Sequence, residues 1–250
     1  MAELHAHRYG PDDGPRLLTI HGITGHGRRF ERLANGPWSH RSVLSVDLRG
    51  HGSSPDGGPW NFEQHIADLV DTLDAHGWNE PVDVVGHSMG GAIVTFLLAL
   101  RPNRVRRAVL LDPALHRDPT VSLDAATASL TGNSYESIDA IDAERRSNLD
   151  PSGHWAVDEE LEQHVVRTDD GRFHWNYRNA PIVAGGGEMA RVTPTMPQRR
   201  PTLVVVAGRA DICRPEYLEA LHRELGAALT VEPLDCGHMV YWERFDETAA

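Results

Sequence analysis

The chain has 250 residues, 40% hydrophobic and 24% charged, which are the proportions of one soluble globular domain with room for an inserted subdomain. The formal charge of -12 argues against nucleic acid and anionic membrane surfaces as partners, and all 24 Lys+Arg positions are Arg. The longest apolar run, 92–100, is too short to span a bilayer, and residues 1–10 lack the basic and apolar regions of a signal peptide. A cytoplasmic protein is therefore expected, with Cys213 and Cys236 as free thiols.

Weak alternation over 3–9 predicts an edge strand closed by the turn GPDDGP. RLLTI (16–20) reads as a short buried strand running into HGITGHG (21–27), where the glycines mark a backbone that approaches something closely. A helix is expected over 28–34 and a strand over 42–46, with DLRGHGSS as its exit loop. From Asn61 onward, Phe62, Ile66, Leu69, Val70 and Leu73 recur at helical spacing; Asn61 with Gln64 resembles a capping box, and Gly77 supplies the stop. VDVV (82–85) then passes through Gly86-His87-Ser88-Met89-Gly90 into the apolar helix 92–100, and a further strand over 108–111 ends at Asp112-Pro113. Strand and helix alternate throughout, which implies an α/β, doubly wound and mostly parallel sheet of about seven strands with helices on both faces.

Over 114–200 the alternation stops. Charges mix with turn residues, aromatics cluster around Trp155 and around Trp175 and Tyr177, and short amphipathic helices are expected over 123–130, 137–146 and 158–166. This segment reads as a helical cap inserted in a core domain of 1–113 and 201–250. The alternation resumes with a strand over 201–207, the loop 208–214, a helix over 215–225, a strand over 229–233 and a short helix from 241 onward.

In such sheets ligands sit beyond the carboxyl ends of the strands. Ser88, on a tight glycine-flanked turn between strand and helix, has the setting of a nucleophile elbow, and His238 is the base that would take its proton. A carboxylate must fix the imidazole, and two stand at strand ends. Asp112 is followed by Pro113, which biases it toward an extended conformation, whereas Asp211 lies in the longer loop GRADICRP, one strand from the segment carrying His238. Asp211 is the expected acid, with Asp112 in a pocket or structural role. The oxyanion would be held by the backbone N–H groups of Ile23 and Met89. His26, Trp155, Trp175 and Tyr177 are candidate substrate contacts, with a solvated helix start as the competing role for His26 and cap packing for the three aromatics; His21 and His51 are expected to order their own loops, and His87 to point into the packing of the elbow. Among the 15 His no pair has the i,i+4 spacing with a carboxylate that metalloprotease helices require, and His5 and His7 alone are too few, so no metal or cofactor is expected.

These motifs together resemble the α/β-hydrolase superfamily over nearly the full length. HGITGHG is similar to its oxyanion loop, DLRGHGSS to the loop after the next strand, GHSMGG to its elbow, AGRAD to its acid strand and CGHMVYWE to its histidine loop. Where many relatives begin with a two-strand hairpin only one strand is readable before Leu17, and the C-terminal helix is short. The resemblance implies a serine hydrolase of a small ester, lactone or thioester, acting as monomer or homodimer. The alternatives are C–C bond cleavage or acyl transfer by the same residues, or ligand binding without catalysis. Ser88 argues against the dehalogenases and epoxide hydrolases of the fold, which use a carboxylate nucleophile.

Overall fold

Short apolar runs bounded by glycine and proline become the strands of one seven-stranded sheet. The computed structural model describes residues 2–130 and 133–249. In chain order, β1 (Ala6–Tyr9), β2 (Arg16–Ile20), α1 (Glu31–Asn35), β3 (Ser42–Val46), α2 (Phe62–Ala75), β4 (Val82–His87), α3 (Met89–Leu100) and β5 (Val105–Leu111) form the first half. Next come α4 (Pro119–Ser129), α5 (Ile138–Ser147), α6 (Trp155–His164), β6 (Val165–Arg167), β7 (Phe173–Trp175) and α7 (Asn179–Met189). The chain closes with β8 (Thr202–Ala207), α8 (Pro215–Leu225), β9 (Leu229–Leu234), α9 (Val240–Glu243) and α10 (Phe245–Ala249).

The strand order is β1-β3-β2-β4-β5-β8-β9, parallel except for the β1–β3 pair. Every residue of β3 and β4 is buried, as strands covered on both faces must be. The two-residue period of a strand sorts neighbours into opposite cores. Leu18, Val84 and Leu110 pack with α2, α3 and α8, while Leu17, Val85 and Leu111 pack on the other face with Tyr241 and Trp242. Each such side chain contributes about 1.5–3 kcal/mol by burial, so Leu18→Ala is a core-breaking change. α2 is held where expected: Asn61 Oδ1 accepts from Gln64 N at 2.9 Å, and Gly77 leaves the helix at φ +70.

Between β5 and β8 the structure is richer than the sequence reading. α4 starts at Pro119, earlier than expected, because Asp118 accepts from Thr120 N and Val121 N and so caps it. β6 and β7 form a separate antiparallel ribbon that the sequence analysis did not anticipate. Nor was α7 expected: Gly185-Gly186-Gly187 weigh against helix by propensity, and packing against α4 and α3 overrides them. Among the described residues no helix is long and apolar enough to cross a membrane.

Candidate active site

The elbow between β4 and α3 is strained at one residue. Ser88 has φ 55 and ψ -120, a conformation that L side chains rarely adopt and that persists only where surroundings enforce it. Its N–H donates to Leu111 O at 3.0 Å, and its carbonyl accepts from Ala114 N at 3.0 Å, so the end of β5 clamps it from both sides. The flanking glycines are required by space. A Cβ on Gly86 would stand 2.5 Å from Gly90 O, and one on Gly90 2.3 Å from Ile20 O. Ser88 thus sits at the N-terminus of α3, where the helix dipole favours negative charge.

His238 reaches this serine from the loop after β9. Its Nε2 lies 2.9 Å from Ser88 Oγ, and its Nδ1 lies 2.6 Å from Asp112 Oδ2. The acid expected from sequence is corrected here: the carboxylate at His238 belongs to Asp112, and Asp211 stands away from it. Asp211 is 85% exposed and accepts from Arg214 Nη1 at 2.7 and 2.6 Å. Asp112 is fully buried, its other oxygen accepting from Ala207 N at 3.3 Å. Pro113 does not hold Asp112 extended as expected, since its φ is +41.

The strand order explains the difference. The loop from β9 must carry His238 across β8 to Ser88 at the end of β4, and the imidazole therefore comes to rest over the end of β5. Glu243, which sequence reasoning passed over in CGHMVYWE, anchors that loop by accepting from Gly237 N at 2.7 Å and from Arg209 Nη2 at 3.1 Å. His87 adds a second tie, its Nε2 donating to His238 O at 2.9 Å.

The loop after β2 lies directly on the elbow, for a Cβ on Gly22 would stand 3.1 Å from Ser88 Cβ. Ile23 is the second residue of a turn closed by Gly25 N to Gly22 O at 2.9 Å, a bond that leaves its own N–H unused. Met89 is the first residue of α3, so its N–H has no acceptor within the helix. α7 covers both residues closely: a Cβ on Gly185 would be 2.7 Å from Met89 Sδ and 3.1 Å from Ile23 Cδ1. Two buried histidines brace the loop. His21 accepts from Leu48 N at 2.9 Å through Nε2, and His51 Nε2 lies 2.6 Å from Ile23 O. Burial lowers the pKa of both, which keeps them neutral.

Of the candidate substrate contacts, Trp175 and Tyr177 line a cavity of about 180 Å³ beside α5. His26 and Trp155 do not line it. His26 is buried, with Nε2 2.7 Å from Glu160 Oε1, because that carboxylate needs partners in the interior. Trp155 donates to Trp242 O at 3.0 Å and packs edge-on against Phe245, which makes it part of the junction with the C-terminal helices. Cys213 and Cys236 are free and buried. His5, His7 and Asp47 bring potential ligand atoms within 4.8 Å of one another, but Asp47 is already bound to Gly27 N at 2.8 Å and Ser53 N at 3.0 Å and serves the loop. A larger cavity of about 500 Å³ lies beside Trp38, Asp83 and Arg107 and does not include Ser88, His238 or Asp112 in its lining.

A serine on a strained strand–helix turn thus stands within hydrogen-bond reach of a histidine, and that histidine within reach of a buried aspartate, at the ends of a mostly parallel sheet. The family model described as alpha/beta hydrolase fold matches residues 15–132. Over 258 aligned residues the chain is 37% identical to Lipase LipV of Mycobacterium tuberculosis, covering 100% of this chain and 96% of that one. The chain belongs to the α/β hydrolase fold family. Among solved structures, a marine microorganism esterase superposes with a TM-score of 0.81 at 22% identity, covering 100% of this chain and 97% of that one. E-2-(acetamidomethylene)succinate hydrolase superposes with a TM-score of 0.82 at 23% identity, covering 98% and 92%. These two likenesses concern the fold.

Proposed function

We propose that the protein is a serine hydrolase of small carboxylic esters, with Ser88 as nucleophile, His238 as base and Asp112 as the acid behind it. The observation that carries this reading is the continuous line from Ser88 Oγ to His238 Nε2 at 2.9 Å and from His238 Nδ1 to Asp112 Oδ2 at 2.6 Å. The resemblance to a lipase along the whole chain supports it. Ser88 Oγ attacks the ester carbonyl carbon as its proton passes to His238 Nε2. The carbon–alkoxy bond then breaks and the alcohol leaves with that proton. Water, deprotonated by the same nitrogen, attacks the acyl-serine and releases the carboxylic acid, restoring Ser88. Asp112 holds the tautomer with its proton on Nδ1 and stabilises the imidazolium, while Ile23 N–H and Met89 N–H receive the oxyanion.

A panel of chromogenic esters of increasing acyl length, run on the native protein beside Ser88→Ala, tests this. Turnover should fall on the order of a millionfold in the variant, down to background, with the thermal melt unchanged. Equal turnover by both proteins, or none by either, rejects the reading.

A further inference from the structure

Arg145, on α5, is a cation with too few partners. Its Nη2 reaches Glu160 Oε2 only at 3.3 Å, and among the described residues its Nε, though buried, has no hydrogen-bond partner. Trp175 and Trp242 flank the guanidinium at 5.6 and 5.3 Å from their ring centres, leaving the side chain 26% exposed. Glu160 is the buried counter-charge nearby, and Arg29 takes most of it through Nε at 2.8 Å and Nη2 at 2.5 Å, with His26 at 2.7 Å. The charges respond accordingly. Although burial opposes it, Glu160 raises the basicity of Arg29, whereas burial and then the Arg29 guanidinium lower that of Arg145. One carboxylate between two guanidiniums leaves Arg145 as the excess positive charge.

That charge lines the cavity of about 180 Å³ with Arg29, Tyr177, Thr24 and Asn148. Burial pushes the Tyr177 phenol up to about 12, so it keeps its proton and can donate. Glu144 also lines the cavity, but it is exposed and accepts from Tyr135 OH at 3.2 Å. The position relative to the catalytic groups is informative. Thr24 follows Ile23 in the oxyanion loop, and Asn148 also lines the cleft of about 350 Å³ that holds His238.

We infer that this cavity receives a carboxylate at the far end of the substrate's acyl chain, with Arg145 as the residue that recognises it. The substrate class would be monoesters of linear dicarboxylic acids. The inference rests on the ester-hydrolase reading, because the cleaved bond is placed at Ser88. A guanidinium flanked by aromatic faces suits a planar carboxylate, and partial burial strengthens the pairing.

The test uses chain-matched pairs that differ only at the terminus: monomethyl succinate, adipate and suberate against methyl butyrate, hexanoate and octanoate, with methanol release as readout. For at least one pair the acid-ended ester should have the higher kcat/KM, mainly through KM. Arg145→Leu should lower that acid-to-neutral ratio by ten- to a hundredfold, the loss expected for a hydrogen bond to a charged group. Asn148→Asp, an exposed change that places a like charge at the cavity edge, should lower it in the same direction and serves if Arg145→Leu does not fold. A neutral preference at every length, or a ratio unmoved by both variants, overturns the inference while leaving the hydrolase intact. If no ester is cleaved, the hydrolase reading falls, and calorimetric titration of Ser88→Ala with free adipate and suberate decides the cavity separately. Binding weakened by Asn148→Asp supports a carboxylate site, and absence of binding rejects it.

Discussion

Asp112 and Asp211 end neighbouring parallel strands, and their surroundings are opposite. Asp112 follows Leu111, the last residue of β5, and is still stitched into the sheet: its N–H donates to Val205 O at 2.8 Å and its carboxylate accepts from Ala207 N. Asp211 stands four residues beyond the end of β8, in water, paired with Arg214. A buried carboxylate without partners costs several kcal/mol, so the position of Asp112 is tolerable only because His238 and Ala207 satisfy it. An exposed pair such as Asp211–Arg214 is worth at most about 1 kcal/mol. Distance from the strand end separates the two roles: close to the ladder a side chain is held in place by backbone bonds, and four residues out it is free to choose solvent.

The sharpest break of this contrast is Asp112→Asn. The change is nearly isosteric and should leave the melt within a few degrees, yet it removes the acceptor that fixes the His238 tautomer. Ester turnover should fall on the order of ten-thousandfold. A loss below tenfold would show that His238 finds another acid.

How far the site was legible follows from the same contrast. Motifs within one strand–turn–helix unit read directly, because Gly86, Ser88 and Gly90 are neighbours in sequence and each glycine answers to a close backbone approach, Gly86 to Gly90 O and Gly90 to Ile20 O. The sheet and its seven strands were legible for a similar reason, through runs such as 42–46 and 82–87 whose residues are all buried. The acid was not, since it depends on which strand end the loop from β9 crosses, a property of sheet order rather than of any short stretch. Proximity of β8 to β9 favoured Asp211, but the need to reach Ser88 carries the imidazole one strand further. The contacts of Glu160 with His26 and Arg29 were equally hidden, lying more than a hundred residues apart in sequence. α7 escaped because its three glycines are costly for an isolated helix, while one of them, Gly185, is the residue that lets it lie against Met89 and Ile23.

A second way to sharpen the contrast is acid. The elements and loops around Ser88 hold buried neutral histidines, His87 at the end of β4, His65 in α2, and His21 and His51 in loops, while the Asp211 loop holds none. Burial lowers the pKa of His21, His51 and His87, and it lowers that of His65 to about 3. Below about 6.5 the unfolded chain takes up these protons and the folded chain does not, so stability is full above that pH and is lost as pH falls toward about 3. Each such histidine steepens the loss by up to ~1.4 kcal/mol per pH unit. Thermal melts from pH 8 to pH 5 should therefore stay flat above neutrality and drop steeply below pH 6.5, and His65→Met should flatten that slope by about one proton. A melting temperature constant down to pH 5 contradicts the neutral, buried state.

The smallest effect is the most discriminating. Asp211→Asn removes a carboxylate that accepts from Arg214 Nη1, while the backbone carbonyl of the same residue accepts from Arg117 Nη1 at 2.8 Å. The backbone contact survives the substitution, and the amide oxygen still accepts from Arg214. The cost is then a weakened surface pair, a few tenths of a kcal/mol and less at high salt. Ester turnover should stay within twofold of the native protein at every acyl length. The outcome is informative because it is asymmetric with Asp112→Asn. Two aspartates, each after a parallel strand and each changed to the same amide, should differ by thousands in turnover while differing little in stability. If Asp211→Asn instead costs a hundredfold or more, the loop after β8 must rearrange during turnover to bring its carboxylate to His238. The line from Ser88 to Asp112 would then describe only the resting enzyme.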